Sequence, residues 1–212
     1  MKTLTKELQD SISPERAIAL LAEGNHRFVN NLKVNRNLLQ QVNETREGQH
    51  PFAVIISCMD SRAPAETIFD QGLGDIFSIR VAGNVINEDI LGSAEFACKV
   101  VEAKAVVVLG HTNCGAIKGA IDQVQLGNLG SVLNKIQFSV PSNDKKYQQL
   151  SYQEKVDWIT RRNVEHSISE IRNRSAIIRD LEQNGEIKMV GGIYDLSNGE
   201  VTFFESEINT RK

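Results

Sequence analysis

Two short segments of this 212-residue chain carry side chains that could bind a metal and do chemistry. The first, residues 58–62, reads CMDSR, and the second, residues 111–114, reads HTNC. Cys58, His111 and Cys114 would together give a metal two thiolates and one imidazole. A structural zinc ion normally has four protein ligands, whereas a catalytic zinc ion has three and keeps one position open. The ligand count therefore indicates a catalytic zinc site.

A carboxylate and a guanidinium lie beside the first cysteine and could control the open position. Asp60 and Arg62 are two residues apart, close enough for a bidentate ion pair. If Arg62 holds Asp60 away, water occupies the fourth position; if the pair breaks, Asp60 can bind the zinc and close the site. An ordinary ion pair beside a turn is the other interpretation of this spacing, and the neighbouring Cys58 favours the gate.

Apolar runs of strand length precede both segments and must position them. Residues 52–58 and 105–109 are such runs, a third covers residues 76–81, and the apolar spacing of residues 87–104 predicts a helix. Strand, helix and strand in this order predict βαβ units and a parallel sheet. Ligands of open α/β sheets bind at the carboxyl ends of strands, so we expect the two segments to converge there. The alternative is two unrelated buried thiols and a loop histidine.

The N-terminal region predicts a helical arm ahead of the sheet. Ser13 suits an N-cap and Pro14 the first helical position. The polar stretch that follows carries leucines too sparse to form a core of their own, and we expect them to pack on another surface: Leu32, Leu38 and Leu39.

The rest of the chain completes an α/β pattern. Helical patterns follow Cys114 to about residue 125 and cover residues 151–184, and residues 197–199 (SNG) predict a hairpin turn near the C-terminus. The fold class is therefore α/β, with a mostly parallel central sheet, flanking helices, an antiparallel C-terminal edge and an N-terminal helical arm. We expect a single domain over residues 1–212, with the arm at about 1–50 and the α/β core at 51–212.

Composition narrows the function classes. The formal net charge is −3 and the basic residues are scattered, which disfavours nucleic-acid binding and suits a small neutral or anionic substrate. The chain lacks a secretory apolar segment and any apolar run of membrane-spanning length, so we expect no membrane association and a cytoplasmic location. Three cysteines make a poor disulfide framework and suit reduced thiols; Cys98, in an apolar helical run, is expected to be a buried free cysteine.

The motifs together resemble those of the β-class carbonic anhydrases. A strand ending in Cys-x-Asp-Ser-Arg is followed by GDIF at residues 74–77, RVAGN at residues 80–84 and a later Gly-His-x-x-Cys-Gly, in the order and spacing of that family. The resemblance extends from about residue 24 to residue 195. It implies that the zinc ligands are Cys58, His111 and Cys114 and that the catalytic dyad is Asp60 and Arg62.

The same resemblance implies a substrate pocket of the plant-like branch. Gln49 matches the glutamine that hydrogen-bonds the substrate, and the apolar pocket maps to Phe77, Ala82 and Phe96, the last replacing a tyrosine. The branch that bicarbonate inhibits uses a tryptophan, an arginine and a tyrosine. Arg80 and Tyr194 match it, but the tryptophan position is Ile55 here, which disfavours a second bicarbonate site.

The implied activity is zinc-dependent reversible hydration of CO₂ to bicarbonate and a proton by a zinc-bound hydroxide, with Asp60 and Arg62 as the gate. Gln49 or the Gly115 amide would bind the nascent bicarbonate. The family also implies a homodimer or homotetramer, in which the N-terminal helix reaches a partner and the pocket borrows residues from it.

Three other functions remain open at this point. The same site could hydrolyse COS or CS₂, which are linear and attacked at carbon as CO₂ is. A non-catalytic zinc or bicarbonate-sensing module would keep Asp60 permanently on the metal, which leaves Arg62 without a purpose. A cysteine hydrolase would use Cys58 or Cys114 as nucleophile and His111 as base.

Overall fold

The computed structural model of the protein describes residues 3–141 and 143–205. Its strands are β1 (Ala53–Ser57), β2 (Ile76–Arg80), β3 (Ala105–His111), β4 (Lys188–Tyr194) and β5 (Val201–Phe204). Its helices are α1 (Lys6–Asp10), α2 (Pro14–Val29), α3 (Leu38–Thr45), α4 (Ala65–Ile68), α5 (Glu88–Glu95), α6 (Gly115–Ile121), α7 (Leu129–Gln137), α8 (Lys145–Gln149), α9 (Tyr152–Arg174) and α10 (Ala176–Gln183).

The five strands form one sheet in the order β2-β1-β3-β4-β5. The first four strands are parallel, and β5 runs antiparallel to β4 at one edge. The turn between β4 and β5 contains Gly199 in the left-handed region (φ 82°), which a glycine adopts without steric cost. The predicted fold class, a mostly parallel sheet with an antiparallel C-terminal edge, is confirmed.

Helices cover both faces of the sheet, which explains why its strands are apolar throughout. Along β1, Val54 and Ile56 join a buried cluster with α5, α9 and α10, while Ala53 and Ile55 join another with α2 and α4. All five residues of β1 and all seven of β3 are buried. A parallel strand buried on both sides reads as a continuous apolar run, as these two do.

The helix predicted over residues 87–104 ends earlier. Asn87 caps its start, but α5 passes into a single π-helical turn at Phe96–Val100, and Glu102 then adopts φ 63°. A left-handed residue cannot continue a right-handed helix, so the chain turns towards β3. Likewise α6 ends at Ile121 rather than near residue 125.

The helical stretch predicted over residues 151–184 is two helices. Ser175 has extended backbone angles; it ends α9, and its hydroxyl accepts a hydrogen bond from Ile178 N at the start of α10. A side chain that caps the next helix competes with continuing the previous one. The short helices α7 and α8 lie in a polar stretch for which the sequence predicted no helix.

The N-terminal arm is tied to the core by a buried carboxylate. The Ser13 cap of α2 is confirmed, with its hydroxyl accepting from Arg16 N. Asp70 is buried between Arg27 and Arg36 and pairs with both guanidinium groups. Two cations on one buried carboxylate hold the segment between α2 and α3 against the core. Among the described residues, no helix is both long and apolar enough to span a membrane.

Candidate metal centre

The two chemistry-bearing segments meet at the carboxyl ends of neighbouring strands. Cys58 directly follows β1, His111 is the last residue of β3, and Cys114 is the N-cap of α6. Because β1 and β3 pair in parallel, with Ser57 opposite Leu109, their ends lie side by side. Short connections therefore suffice to bring the three side chains together.

Their ligand atoms form one compact buried group. The atoms of Cys58, His111 and Cys114 that could bind a metal all lie within 4.8 Å of one another, and the two sulfur atoms are 3.9 Å apart. The exposed fractions of the three residues are 6%, 1% and 1%. All three cysteines of the chain are free, so these two sulfurs are not in a disulfide. Two sulfurs and one imidazole nitrogen are donors that suit zinc.

The histidine is oriented with one nitrogen towards the cysteines. Nδ1 of His111 lies 2.9 Å from the carbonyl oxygen of Thr112; a carbonyl only accepts, so Nδ1 carries the proton. Nε2 then presents a lone pair, and this buried atom has no hydrogen-bond partner. A backbone acceptor on the far nitrogen is the usual arrangement for a histidine that binds a metal. The orphaned Nε2 fits a metal ligand.

The two thiols shift each other's pKa in opposite directions. The pKa of Cys58 is lowered, chiefly by its hydrogen bond with Cys114, and the Gly83 backbone N–H, 3.3 Å from Cys58 Sγ, adds to this effect. The pKa of Cys114 is raised by the same hydrogen bond and by burial. A divalent cation bound by both sulfurs would displace the thiol protons.

Asp60 is held beside the cluster and turned towards Arg62. Arg62 donates from Nε to Asp60 Oδ1 at 2.9 Å, from Nη2 to Oδ2 at 2.8 Å, and from its backbone N to Oδ1 at 2.9 Å. The Arg62 hydrogen bonds hold the pKa of Asp60 well below its usual range, so Asp60 is a carboxylate. Its Oδ2 lies 3.8 Å from His111 Nε2. The predicted pair thus exists, and its carboxylate lies next to the possible metal ligands.

A second arginine fixes the backbone of this segment, a contact that the sequence analysis did not predict. Arg80, at the end of β2, donates from Nε to the carbonyl of Cys58 at 3.2 Å and from Nη2 to the carbonyl of Asp60. Its place at the end of a strand neighbouring β1 is the signal that could have indicated this role. Ile55, by contrast, is fully buried in the core.

The predicted substrate residues fall into two places. Ala82 begins the short turn whose Gly83 contacts Cys58, and Gly115 begins α6 next to Cys114. The other residues of this group are an exposed Gln49 in the loop before β1 and two aromatic residues, Phe77 and Phe96.

The two aromatic residues are together but apart from the cysteines. Phe77 and Phe96 pack edge to face, with ring centroids 6.3 Å apart, and line a cleft along β2 with Ser78, Ile79 and Ser93. None of the three metal-binding candidates lines this cleft, and Phe96 is 50% exposed. Within one chain, therefore, they do not cover the cluster.

Comparison with known proteins defines the class. Residues 53–201 match the family model described as carbonic anhydrase. "Carbonic anhydrase 2" of Mycobacterium tuberculosis is 37% identical over 192 residues, covering 88% of this chain and 91% of the relative. The carbonic anhydrase of Mycolicibacterium smegmatis is 34% identical over 196 residues, covering 89% and 92%.

Solved structures agree with this class. The crystal structure of the β-carbonic anhydrase CafA of Aspergillus fumigatus superimposes with a TM-score of 0.72 at 28% identity, covering 91% of each chain. One of two β-carbonic anhydrases of Sordaria macrospora, described as tetrameric, gives a TM-score of 0.69 at 27% identity, covering 75% of this chain and 83% of the other. The chain therefore belongs to the β-carbonic anhydrase family, and its enzyme class is carbonic anhydrase. Its place in the plant-like branch stays a prediction.

Proposed function

We propose that this enzyme binds zinc through Cys58, His111 and Cys114 and catalyses reversible hydration of CO₂ to bicarbonate and a proton. The observation that carries the proposal is the buried cluster of two sulfurs and one imidazole whose Nε2 has no other partner. When bound, zinc supplies Lewis acidity and a water nucleophile that is ionised near neutral pH. Three protein ligands leave one position for that chemistry.

Asp60 and Arg62 are the proposed gate and orienting pair. Arg62 occupies both oxygens of the Asp60 carboxylate and so keeps it off the metal position. The outer face of Oδ2, 3.8 Å from His111 Nε2, then accepts a hydrogen bond from the attacking water. If the ion pair breaks, the same carboxylate is near enough to become the fourth ligand and close the site.

CO₂ needs an apolar pocket, and we propose that a second copy of the chain completes it. On the chain that holds the metal, Ala82 and the Gly115 amide flank the cluster. Gln49 precedes the amino end of β1, the end of the strand away from Cys58, so it would donate to the nascent bicarbonate from the second copy. Phe77 and Phe96 of the second copy would supply the apolar cover that they do not give their own cluster.

The edge of the sheet supports such a homodimer or homotetramer. Within the described part of the chain, β2 has a neighbouring strand on one side only, and the exposed apolar side chains include Leu38, Leu39, Phe96 and Val100. The helix α3 that carries the two leucines packs beside the loop before β2, where Gln41 accepts from Leu73 N. Large apolar side chains left exposed near an edge strand suit a subunit interface. All three cysteines are free, which suits a reducing compartment, and we therefore also propose a cytoplasmic location.

The test combines metal analysis with CO₂ hydration measured by stopped flow. We expect one zinc per chain in the parent, loss of zinc and activity in Cys58→Ser and His111→Ala, and retained zinc with a lower rate in Asp60→Ala. Cys98→Ser is the matched control and should keep both zinc and activity. Cys98 is also buried and free, but it lies in the buried cluster that β1 forms with α5, α9 and α10.

Two results would contradict the proposal. Full zinc occupancy in His111→Ala would refute the ligand set. Zinc without CO₂ hydration at any pH would refute the activity, and turnover of COS or CS₂ by that same protein would identify the alternative substrate.

A further inference from the structure

A tight turn after β2 brings a backbone N–H to the sulfur of Cys58. Gly83 N lies 3.3 Å from Cys58 Sγ, within the turn Ala82–Asn84. Gly83 has φ 68°, and a Cβ on it would lie 2.6 Å from Ile136 Cδ1 and 3.1 Å from Ala116 Cβ. Both the backbone angle and the space require glycine here.

This turn is strained. The next residue, Asn84, is also left-handed, with φ 45°. A non-glycine residue in this region costs free energy and persists only where the surroundings hold it. The turn's own bond, from Asn84 N to the carbonyl of Val81 at 3.0 Å, leaves the carbonyls of Gly83 and Asn84 to find partners elsewhere.

Those partners come from α9, about 80 residues further along the chain. Asn163 donates from Nδ2 to the Gly83 carbonyl at 2.8 Å, and Ser167 donates from its hydroxyl to the Asn84 carbonyl at 3.1 Å. The two donors are four residues apart, hence on one face of the helix, and are 1% and 2% exposed. Two consecutive strained residues are thus each held by a buried donor.

We propose that Asn163 is a positioning residue of the metal centre: by fixing the Gly83 carbonyl it aims the Gly83 N–H at the Cys58 sulfur. This inference rests on the proposed zinc site. A hydrogen bond to a thiolate draws electron density from sulfur, so the metal receives less charge from it and stays a stronger Lewis acid. Groups that orient and tune metal ligands in this way typically change metal affinity or activity by about 10-fold to 100-fold.

A purely structural role for Asn163 would stabilise the fold without altering the metal. Thr160 provides the matched control, because it is a buried polar residue one turn earlier on α9, 3% exposed, whose hydroxyl donates to the Val156 carbonyl of its own helix. Thr160→Val removes a buried hydrogen bond from the same helix without touching the turn. Asn163→Leu removes the donor at similar volume, and Asn163→Ala and Ser167→Ala are second variants should the leucine not fold.

The experiment measures two properties of the metal site and one of the fold. The Co²⁺-substituted proteins give the wavelength of thiolate-to-cobalt charge transfer, chelator competition gives the zinc Kd, and thermal melting of the metal-free proteins gives their stability. Loss of an N–H···S bond raises the energy of the sulfur lone pair and so moves the charge-transfer band to longer wavelength. We expect this shift in the Asn163 variants. Their zinc Kd should also be about 10-fold to 100-fold higher, because the turn that orients Cys58 is no longer held in place. Ser167→Ala should shift the band less, in the same direction, and Thr160→Val should lower the melting temperature only.

Other outcomes would overturn the inference. Folded Asn163 variants with the parental band and zinc Kd would show that the contact only packs the helix. The same band shift in Thr160→Val would assign the effect to general loosening of α9. A parent without any thiolate-to-cobalt band would refute the metal site itself and this inference with it, whereas a parental band that Asn163 substitution leaves unchanged refutes this inference alone.

Discussion

The carboxylate of Asp60 can be tested by replacing it with an amide. In Asp60→Asn the amide oxygen must face the two donors that now share Oδ1, the backbone N and Nε of Arg62, both at 2.9 Å. The opposite orientation would place an NH₂ group against two N–H donors. The NH₂ group therefore takes the place of Oδ2, next to His111 Nε2, where the proposal needs a hydrogen-bond acceptor for water.

The magnitude follows from the bond that is lost. A hydrogen bond to a charged acceptor contributes about 1.5–3 kcal/mol, and at about 1.4 kcal/mol per tenfold the expected fall in kcat/KM is about 10-fold to 150-fold. The fold should change little, because the Arg62 side chain is 57% exposed and can turn its freed Nη2 to water. Zinc should be retained, since the three proposed ligands are unchanged.

Stopped-flow CO₂ hydration with parallel metal analysis decides the outcome. Asp122→Asn is the control and should keep parental activity. Asp122 directly follows α6 and is another carboxylate that accepts a side-chain hydrogen bond, from Tyr152 at the start of α9. Asp60→Asn with full zinc and kcat/KM within twofold of the parent would refute an acceptor role for the carboxylate. Loss of zinc from this variant would instead make Asp60 a structural support of the cluster.

Three further predictions concern the fold and the assembly. Gly24→Ala places a Cβ 1.8 Å from the Phe69 carbonyl oxygen, so the free energy of unfolding measured by urea titration should fall by about 1–3 kcal/mol. Gly48→Ala is the control: it has open space around its Cβ, and its free energy of unfolding should stay within about 0.5 kcal/mol of the parent. Burial raises the pKa of Asp75, so the folded state binds more protons than the unfolded state and the free energy of unfolding falls as pH rises through that pKa. Asp75→Asn should therefore raise the urea midpoint at pH 7. A gain that persists undiminished below about pH 3.5, where the carboxyl is protonated in both states, would contradict this. Leu39, 72% exposed, should lie in the proposed interface, so Leu39→Glu should reduce the sedimentation coefficient; an unchanged value would remove α3 from that interface.

The sequence predicted the strands and the cluster because local signals specify both. The apolar runs that became β1 and β3 have the length of strands rather than of helices, and each is followed directly by residues that form the cluster. The general rule that ligands gather at carboxyl ends of parallel strands then placed Cys58 beside His111.

What the sequence did not predict depends on distant contacts. The left-handed pair Gly83 and Asn84 is stabilised by Asn163, which no local pattern connects to them. Helices α7 and α8 are short and lie in a polar stretch, where tertiary packing rather than propensity decides the outcome. The break at Ser175 also followed from a capping contact that competes with a helical pattern on both sides.

The parallel pairing of β1 with β3 has a consequence for how the protein folds. The two sulfurs of the cluster are 56 positions apart in the chain, and they can meet only after a crossover has closed a long loop. In the unfolded chain only His111 and Cys114 lie close enough in sequence to bind one ion together, so an ion held by all three proposed ligands would favour the native state by mass action. Metal supply and the stability of the folded enzyme would in this way be thermodynamically linked.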